Sequence, residues 1–260
     1  MTYKYAKVHR EGPVTIVTIN RPEVLNALHF SANVELDLIF DDFASDSTQW
    51  VGIITGEGER AFCAGNDLKC QAASGEMSRI PANGVAGLTS RFDLNKPLIA
   101  AVNGVAMGGG FEIALACDII VASEKALFSL PEPRVGLAAL GGGVNRLPAA
   151  IGIKRAMEII LTARRVGADE GKALGFVNEV VAQRDVLNAA RRIASEICQG
   201  SPLAVRASKA AAMAGLGEDL KQTLAEHADR QEVRALLMSE DLIEGPLAFA
   251  QKRLPRWKGR

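Results

Sequence analysis

KPLIAAVNGVAMGGGFEIALACD, residues 96–118, decides how this chain is read. Residues 97–102 (PLIAAV) carry no polar side chain, the pattern of a strand buried on both faces, as in parallel sheets. An Asn-Gly turn follows, then the glycines 108–110, then a helical stretch through Cys117. Consecutive glycines let a backbone come close to a ligand. The first amides of a helix have no intrahelical acceptor and stand at the positive end of its dipole. Such a corner can hold an oxyanion, for instance the enolate of a thioester. Tight helix–strand packing without a ligand accounts for the same glycines equally well.

Outward from this stretch, short β-rich runs alternate with helical ones. Residues 14–20 (VTIVTIN), 51–55 (VGIIT) and 119–122 read as further strands. Ser31 is expected to cap a helix running to about residue 44, with Phe30, Val34 and Leu38 on its apolar stripe. Residues 71–90 are small, polar and broken by Gly and Pro, which predicts a mobile segment over a site. The last third is helical: residues 184–199, 203–215, 218–239, and a short helix from Pro246 to Arg253. The fold class is therefore α/β, with a body over residues 1–200 and a helical region over 201–260 that is a candidate for packing on a neighbouring subunit.

Of the 260 residues, 48% are hydrophobic and 23% charged, and 30 Lys+Arg balance 30 Asp+Glu. That composition is globular rather than disordered. Zero net charge provides no pull toward nucleic acid or an anionic membrane. No apolar run approaches the ~18 residues of a spanning helix. The N-terminus shows no signal-peptide pattern, so the expected location is cytoplasmic. Cys63, Cys70, Cys117 and Cys198 are scattered, with no histidine near any of them, so neither a metal site nor a disulfide framework is expected. Cys63 in AFCAGND is a nucleophile by residue type, but a small residue beside a tight turn is the simpler reading. His9, His29 and His227 stand alone, as packing or surface histidines do.

GEGERA, residues 56–61, outlines a dinucleotide fingerprint, with Glu76 twenty residues after Gly56. The helix that such a fingerprint opens is missing, and two acidic residues in the loop repel a pyrophosphate, so a turn is expected. Two carboxylates are stronger candidates. Glu112 lies in the first turn after the glycine run, and Glu132 stands between Pro131 and Pro133 on a stiff segment. Environments that separate their pKa values would let them divide acid and base roles. Their spacing in sequence says nothing about their distance in space.

These residues carry a resemblance. NRPEVLNAL (20–28), AFCAGNDLK (61–69), residues 96–118, FSLPEPRVG (128–136) and EDLIEGPLAFAQKR (240–253) resemble the crotonase, or enoyl-CoA hydratase/isomerase, superfamily over nearly the whole chain. The resemblance implies a right-handed spiral of ββα turns followed by C-terminal helices that trimerise, as a homotrimer or dimer of trimers. It implies an acyl-CoA thioester substrate, with no cofactor because coenzyme A belongs to the substrate. By position, the backbone amides of Asn66 and Gly109 form the oxyanion hole. Glu112 and Glu132 fall on the two glutamates that handle water in family hydratases, which implies reversible addition of water to a 2-enoyl-CoA to give a 3-hydroxyacyl-CoA. Leu25, Ala27, Ala64 and Lys69 match coenzyme A contacts, and Phe249 and Lys252 match residues that reach a neighbour's coenzyme A. The basic cluster around Lys252 and Arg253 suits phosphates, and a solvated tail explains it as well.

Within the superfamily, the stretch VAGLTSRFDLNKPLIAAVNG and the ending from Ser239 look most like the carnitinyl-CoA dehydratase group. The chain has only 2 Trp and 2 Tyr, so no aromatic cage for a quaternary ammonium is evident. Leu140 departs from the family pattern, standing beside the acyl pocket where a small or polar residue is usual. An enoyl-CoA isomerase or acyl-CoA hydrolase on the same oxyanion hole is the alternative within this scaffold. An RNA- or partner-binding paralogue is the alternative outside enzymes.

Overall fold

Each apolar run identified in the sequence is a strand of one sheet, and shorter strands build a second. A computed structural model describes residues 3–74, 80–217 and 219–260. In chain order the strands are β1 (Ala6–Glu11), β2 (Val14–Ile19), β3 (Val51–Gly56), β4 (Ala61–Cys63), β5 (Leu98–Val102), β6 (Val105–Met107), β7 (Ile119–Ser123), β8 (Leu127–Ser129), β9 (Val166–Gly167) and β10 (Glu179–Val181). The larger sheet has the order β1-β2-β3-β5-β7-β10 and the smaller β4-β6-β8-β9. Apart from the β1–β2 hairpin and the β8–β9 pair, every pairing is parallel.

The helices are α1 (Phe30–Ser45), α2 (Leu68–Ser74), α3 (Gly109–Ala116), α4 (Gly143–Ile151), α5 (Ile153–Thr162), α6 (Ala168–Leu174), α7 (Val186–Ile197), α8 (Pro202–Ala214), α9 (Leu220–Glu226), α10 (Gln231–Leu237) and α11 (Glu240–Ala250). The order β3-β4-α2, β5-β6-α3, β7-β8-α4 repeats one unit, a strand in each sheet and then a helix, which is the expected succession of ββα turns. The inner strands of the large sheet, β2, β3, β5 and β7, are covered on both faces. Val17 and Ile19 of β2 join the core with Leu36, Phe40 and Phe43 of α1, while Val14 and Ile16 face Ala190 and Ala194 of α7. Burial on both faces is why these strands read as unbroken apolar runs.

Several local expectations are corrected. Helix α1 is capped by His29, whose Nδ1 accepts from Ala32 N at 3.0 Å, not by Ser31. The true buried stripe is Ala32, Leu36, Ile39, Phe40 and Phe43, with Leu38 and Phe30 exposed. The histidine ring does two jobs, since it also packs edge-on against Tyr5 at 4.6 Å. The expected single helix over 218–239 breaks into α9 and α10, because Arg230 adopts extended backbone between them; Glu218 lies outside the described residues. Pro246 sits inside α11 rather than opening it, because the Ser239 hydroxyl accepts from Leu242 N and starts the helix earlier. Within 71–90, residues 75–79 and with them Glu76 are outside the described residues. The expectation of a mobile segment fails for residues 85–89, which are buried. Ala86 N donates to Asn33 Oδ1 at 2.8 Å and Val85 N to Thr89 Oγ1 at 2.9 Å, which ties this stretch to α1 and to itself.

The GEGERA loop is a turn whose carbonyls point inward. Asn103 Nδ2 donates to Gly56 O and Gly58 O at 2.9 and 2.6 Å, and Asn26 Nδ2 to Glu57 O and Ala61 O at 3.1 and 2.8 Å. A phosphate cradle needs amides facing in, and this loop presents acceptors. Asn26 is fully buried and also accepts from Arg21 N at 3.0 Å. Replacing Asn26 by Ala strands these groups, and a stability loss of about 2–4 kcal/mol is expected in urea unfolding. A loss within experimental error would show that this loop is not what anchors residues 21–28.

Candidate active site

Three adjacent parallel strands of the small sheet build the site at their carboxyl ends. The register pairs Cys63 of β4 with Ala106 of β6, and Met107 of β6 with Ser129 of β8. Asn66 follows β4 by three residues, Gly109 follows β6 by two, and Glu132 follows β8 by three. Loops at carboxyl ends of parallel strands converge, and ligand sites form there.

The turn after β4 is interlocked with the start of α3. Gly65 has φ +88°, and a Cβ there would stand 2.6 Å from Met107 O and 3.0 Å from Gly109 N. A Cβ on Gly110 would run into Cys63 O. Leu28 N donates to Gly65 O at 2.7 Å and Asp67 N to Leu28 O at 3.0 Å, which fixes residue 66 between them. Among the described residues, the amides of Asn66 and Gly109 have no protein acceptor. Cys63 is buried, its Sγ accepts from Gly65 N at 3.4 Å, and burial pushes the thiol up to about 12. A thiol raised this far stays protonated near neutral pH, which suits packing rather than nucleophilic attack.

Asn66 and Gly109 border a cavity of about 510 Å³ that Glu112 and Glu132 also line. Glu112 is 4% exposed. The amide of Gly143 donates to its Oε1 at 2.9 Å, and that of Gly141 supports the carboxylate as well. The fit leaves no room for side chains, since a Cβ on Gly141 would stand 2.6 Å from Glu112 Oε2. Burial raises the Glu112 pKa, while the two amides and Arg146 oppose the rise. Glu132 opens the one-turn 3-10 helix Glu132–Val135 between its prolines, closed by Gly136 in left-handed geometry. Its carboxylate lies against Gly108, where a Cβ would be 2.7 Å from Oε1. Among the described residues, Glu132 Oε2 is buried without a hydrogen-bond partner. Burial first, and then the charge of Glu112, push Glu132 up to about 7.

Six of the residues expected at a site meet at this cavity: Ala64, Asn66, Gly109, Glu112, Glu132 and Leu140. Leu140 lies at its rim and is 78% exposed. Leu25, Ala27 and Lys69 are not in the lining. Leu25 O accepts from Ala64 N at 3.0 Å, Ala27 O accepts from the Arg21 guanidinium, and Lys69 is exposed on α2, whose Leu68 and Gln71 do line the cavity. Phe249 is 87% exposed at the end of α11, and neither it nor Lys252 borders the cavity. Three members of the basic tail are already paired, Arg253 with Glu244 and both Lys258 and Arg260 with Glu240. Sequence reasoning missed the second glycine run as the cradle of Glu112, although 141–143 precedes a helix just as 108–110 does. Among the described residues, no group of three or more His, Cys, Asp or Glu is placed to hold a metal ion, and no helix is long and apolar enough to cross a membrane.

Two acceptor-free amides beside one buried and one half-buried carboxylate can polarise a carbonyl and move protons at the carbons next to it. The sequence profile described as enoyl-CoA hydratase/isomerase matches residues 9–260.

The chain belongs to the enoyl-CoA hydratase/isomerase family.

It is 44% identical over 253 residues to the carnitinyl-CoA dehydratase of Proteus mirabilis (strain HI4320), covering 96% of each chain. The solved enoyl-CoA hydratase of Mycobacterium tuberculosis H37Rv superposes with a TM-score of 0.91 at 38% identity, covering 98% of this chain and 99% of that one. The carnitinyl-CoA hydratase of Mycobacterium avium gives 0.78 at 40% identity over the whole of both chains. As an enoyl-CoA hydratase/isomerase family member the chain is an enzyme of acyl-CoA chemistry with the lyase activity typical of that family, and its ββα body with C-terminal helices is the crotonase fold.

Proposed function

We propose that this enzyme adds water reversibly across the 2,3-double bond of a 2-enoyl-CoA, giving the 3-hydroxyacyl-CoA. The observation that carries the reading is the inequality of the two carboxylates facing one cavity. Glu112 receives amide hydrogen bonds and faces a cation, which favour its anion; Glu132 has an unpartnered buried oxygen, which favours its acid. Glu112 takes a proton from water as the oxygen bonds to C3. The π electrons move onto the thioester oxygen, held by the amides of Asn66 and Gly109, and Glu132 delivers its proton to C2. Proton exchange with solvent returns the pair to its starting state, and dehydration is the reverse.

The relatives named carnitinyl-CoA dehydratase and carnitinyl-CoA hydratase favour carnitinyl-CoA as the hydroxyacyl thioester and crotonobetainyl-CoA as its dehydrated partner. Among the described residues, Glu112 and Glu132 are the only charged groups lining the cavity, and no aromatic ring lines it. A trimethylammonium would there be met by carboxylates rather than by rings. Residues 201–260 are read as a separate oligomerisation region forming a trimer or dimer of trimers. Leu216, Leu220, Leu224, Met238 and Ile243 stand exposed on it, an apolar surface of the kind a subunit interface buries. In this reading coenzyme A runs along Leu25, Ala27, Ala64 and Lys69 and meets Phe249 and Lys252 of a neighbouring subunit.

Loss of the conjugated enoyl-thioester absorbance tests the reaction on crotonyl-CoA, a longer and a branched 2-enoyl-CoA, and crotonobetainyl-CoA. Hydration is expected, fastest on crotonobetainyl-CoA. Double-bond migration or release of free coenzyme A without hydration would assign an isomerase or hydrolase instead. The hydration profile of kcat/KM is expected to be bell-shaped. Its alkaline limb falls near pH 7 as Glu132 loses its proton, and its acid limb lies above 4.5 as Glu112 gains one. A flat profile across pH 6–9 would remove Glu132 as the proton donor.

A further inference from the structure

Arg146 stands one turn into α4 and touches both walls of the Glu112 pocket. Its Nη2 donates to Thr89 O at 2.8 Å and its Nη1 to Gly141 O at 3.5 Å. Its Cζ lies 5.9 Å from the centroid of the Phe92 ring. Gly142 has φ +107°, and a Cβ there would collide with Nη1, so the glycine loop is wrapped around the guanidinium. Thr89 ends the buried segment 85–89, and Gly141 and Gly143 supply the amides that hold Glu112. Val85, from the same segment, fills the gap between the oxyanion corner and this loop. Its methyls lie 3.3 Å from where a Cβ on Gly109 would stand and 3.2 Å from the corresponding point on Gly141.

We propose that Arg146 is a positioning residue, locking segment 85–89 to the glycine loop 141–143 so that Glu112 is held in the cavity as an anion. The assignment rests on the water-adding reading only in giving Glu112 the role of base. The groups facing Glu112 are Arg146 from α4, Glu132 from the segment after β8, and the amides of Gly141 and Gly143. Cys117, at the end of α3, interacts with Arg146 and is a neutral thiol raised by burial. Arg146 is therefore the one cation acting on this carboxylate among the described residues. Arg is suited to the task because its planar fork reaches two carbonyls at once, where a lysine presents a point charge.

The test uses the full chain with Arg146→Met and Arg146→Lys, read by the pH profile of hydration and by a carbon-13 titration of the Glu112 carboxyl. In R146M the acid limb and the Glu112 titration are expected to move up by about one pH unit. The plateau kcat is expected to fall by roughly tenfold or more with KM little changed, since Arg146 does not border the cavity. R146K is expected to restore the titration, through its charge, but not the plateau kcat, since the second carbonyl is lost. An unmoved Glu112 titration in folded R146M overturns the proposal. If R146M does not fold, wild-type kcat in R146K overturns it instead. Wild-type enzyme inactive on every enoyl thioester would refute the water-adding reading alone, and the titration would still decide the role of Arg146.

Discussion

Glu132→Gln is expected to lower hydration turnover by roughly 10²- to 10⁴-fold, the range for losing a positioned general acid. Glutamine has the same shape and no acidic proton. The substitution breaks no protein hydrogen bond at Oε2, because that oxygen has no partner, so the loss is chemical rather than structural. Stability moves the other way. The folded pKa of Glu132 is about 7 against an ordinary 4.5. Below pH 4.5 the side chain is protonated in both states and carries no penalty. As pH rises from 4.5 to 7 the unfolded chain releases the proton while the folded chain retains it, so wild-type stability falls, and above 7 the loss is complete. Melting temperatures of the glutamine variant relative to wild type should therefore rise between pH 4.5 and 7 and then level off. Turnover near wild type, or a melting difference that shrinks with rising pH, would be incompatible with this role.

Gly65→Ala is expected to reduce turnover by about 10²- to 10³-fold, the cost of a lost oxyanion donor. The added Cβ sits 2.6 Å from Met107 O and 3.0 Å from Gly109 N, both backbone atoms, so β6 and the start of α3 must shift. Residue 65 cannot retreat, because its carbonyl is held by Leu28 N. The shift separates the amides of Asn66 and Gly109 that, in the proposed reaction, address one oxygen. Left-handed backbone adds about 1–2 kcal/mol of destabilisation. Gly12→Ala is the control: φ is +56° and nothing lies within 4 Å of its Cβ, so it carries the backbone cost and should leave turnover unchanged. A folded Gly65→Ala enzyme with full activity would take the two amides out of the reaction.

Much of the local architecture was legible. Runs such as PLIAAV and VTIVTI are strands because burial on both faces excludes polar residues, and a helix follows the glycine run where expected. Legibility failed where one side chain's partner lay far off in sequence. His29 caps α1 while packing on Tyr5, and residues 85–89 look like loop composition yet are buried because Asn33 of α1 accepts the Ala86 amide. Arg146 carried no signal at all, since its partners Thr89 and Gly141 belong to two segments that only folding brings together.

By itself the sequence determined the long apolar strands, the glycine run 108–110 and the two carboxylates as candidates, because these follow from apolar patterning, proline stiffness and the absence of a Cβ. Only the tertiary structure decided that they form one site. The parallel register of β4, β6 and β8 places Asn66, Gly109 and Glu132 at neighbouring strand ends, and the loop 141–143 closes over Glu112. Burial and hydrogen bonding then set the two glutamates apart, and those depend on what surrounds a carboxylate rather than on its place in the chain.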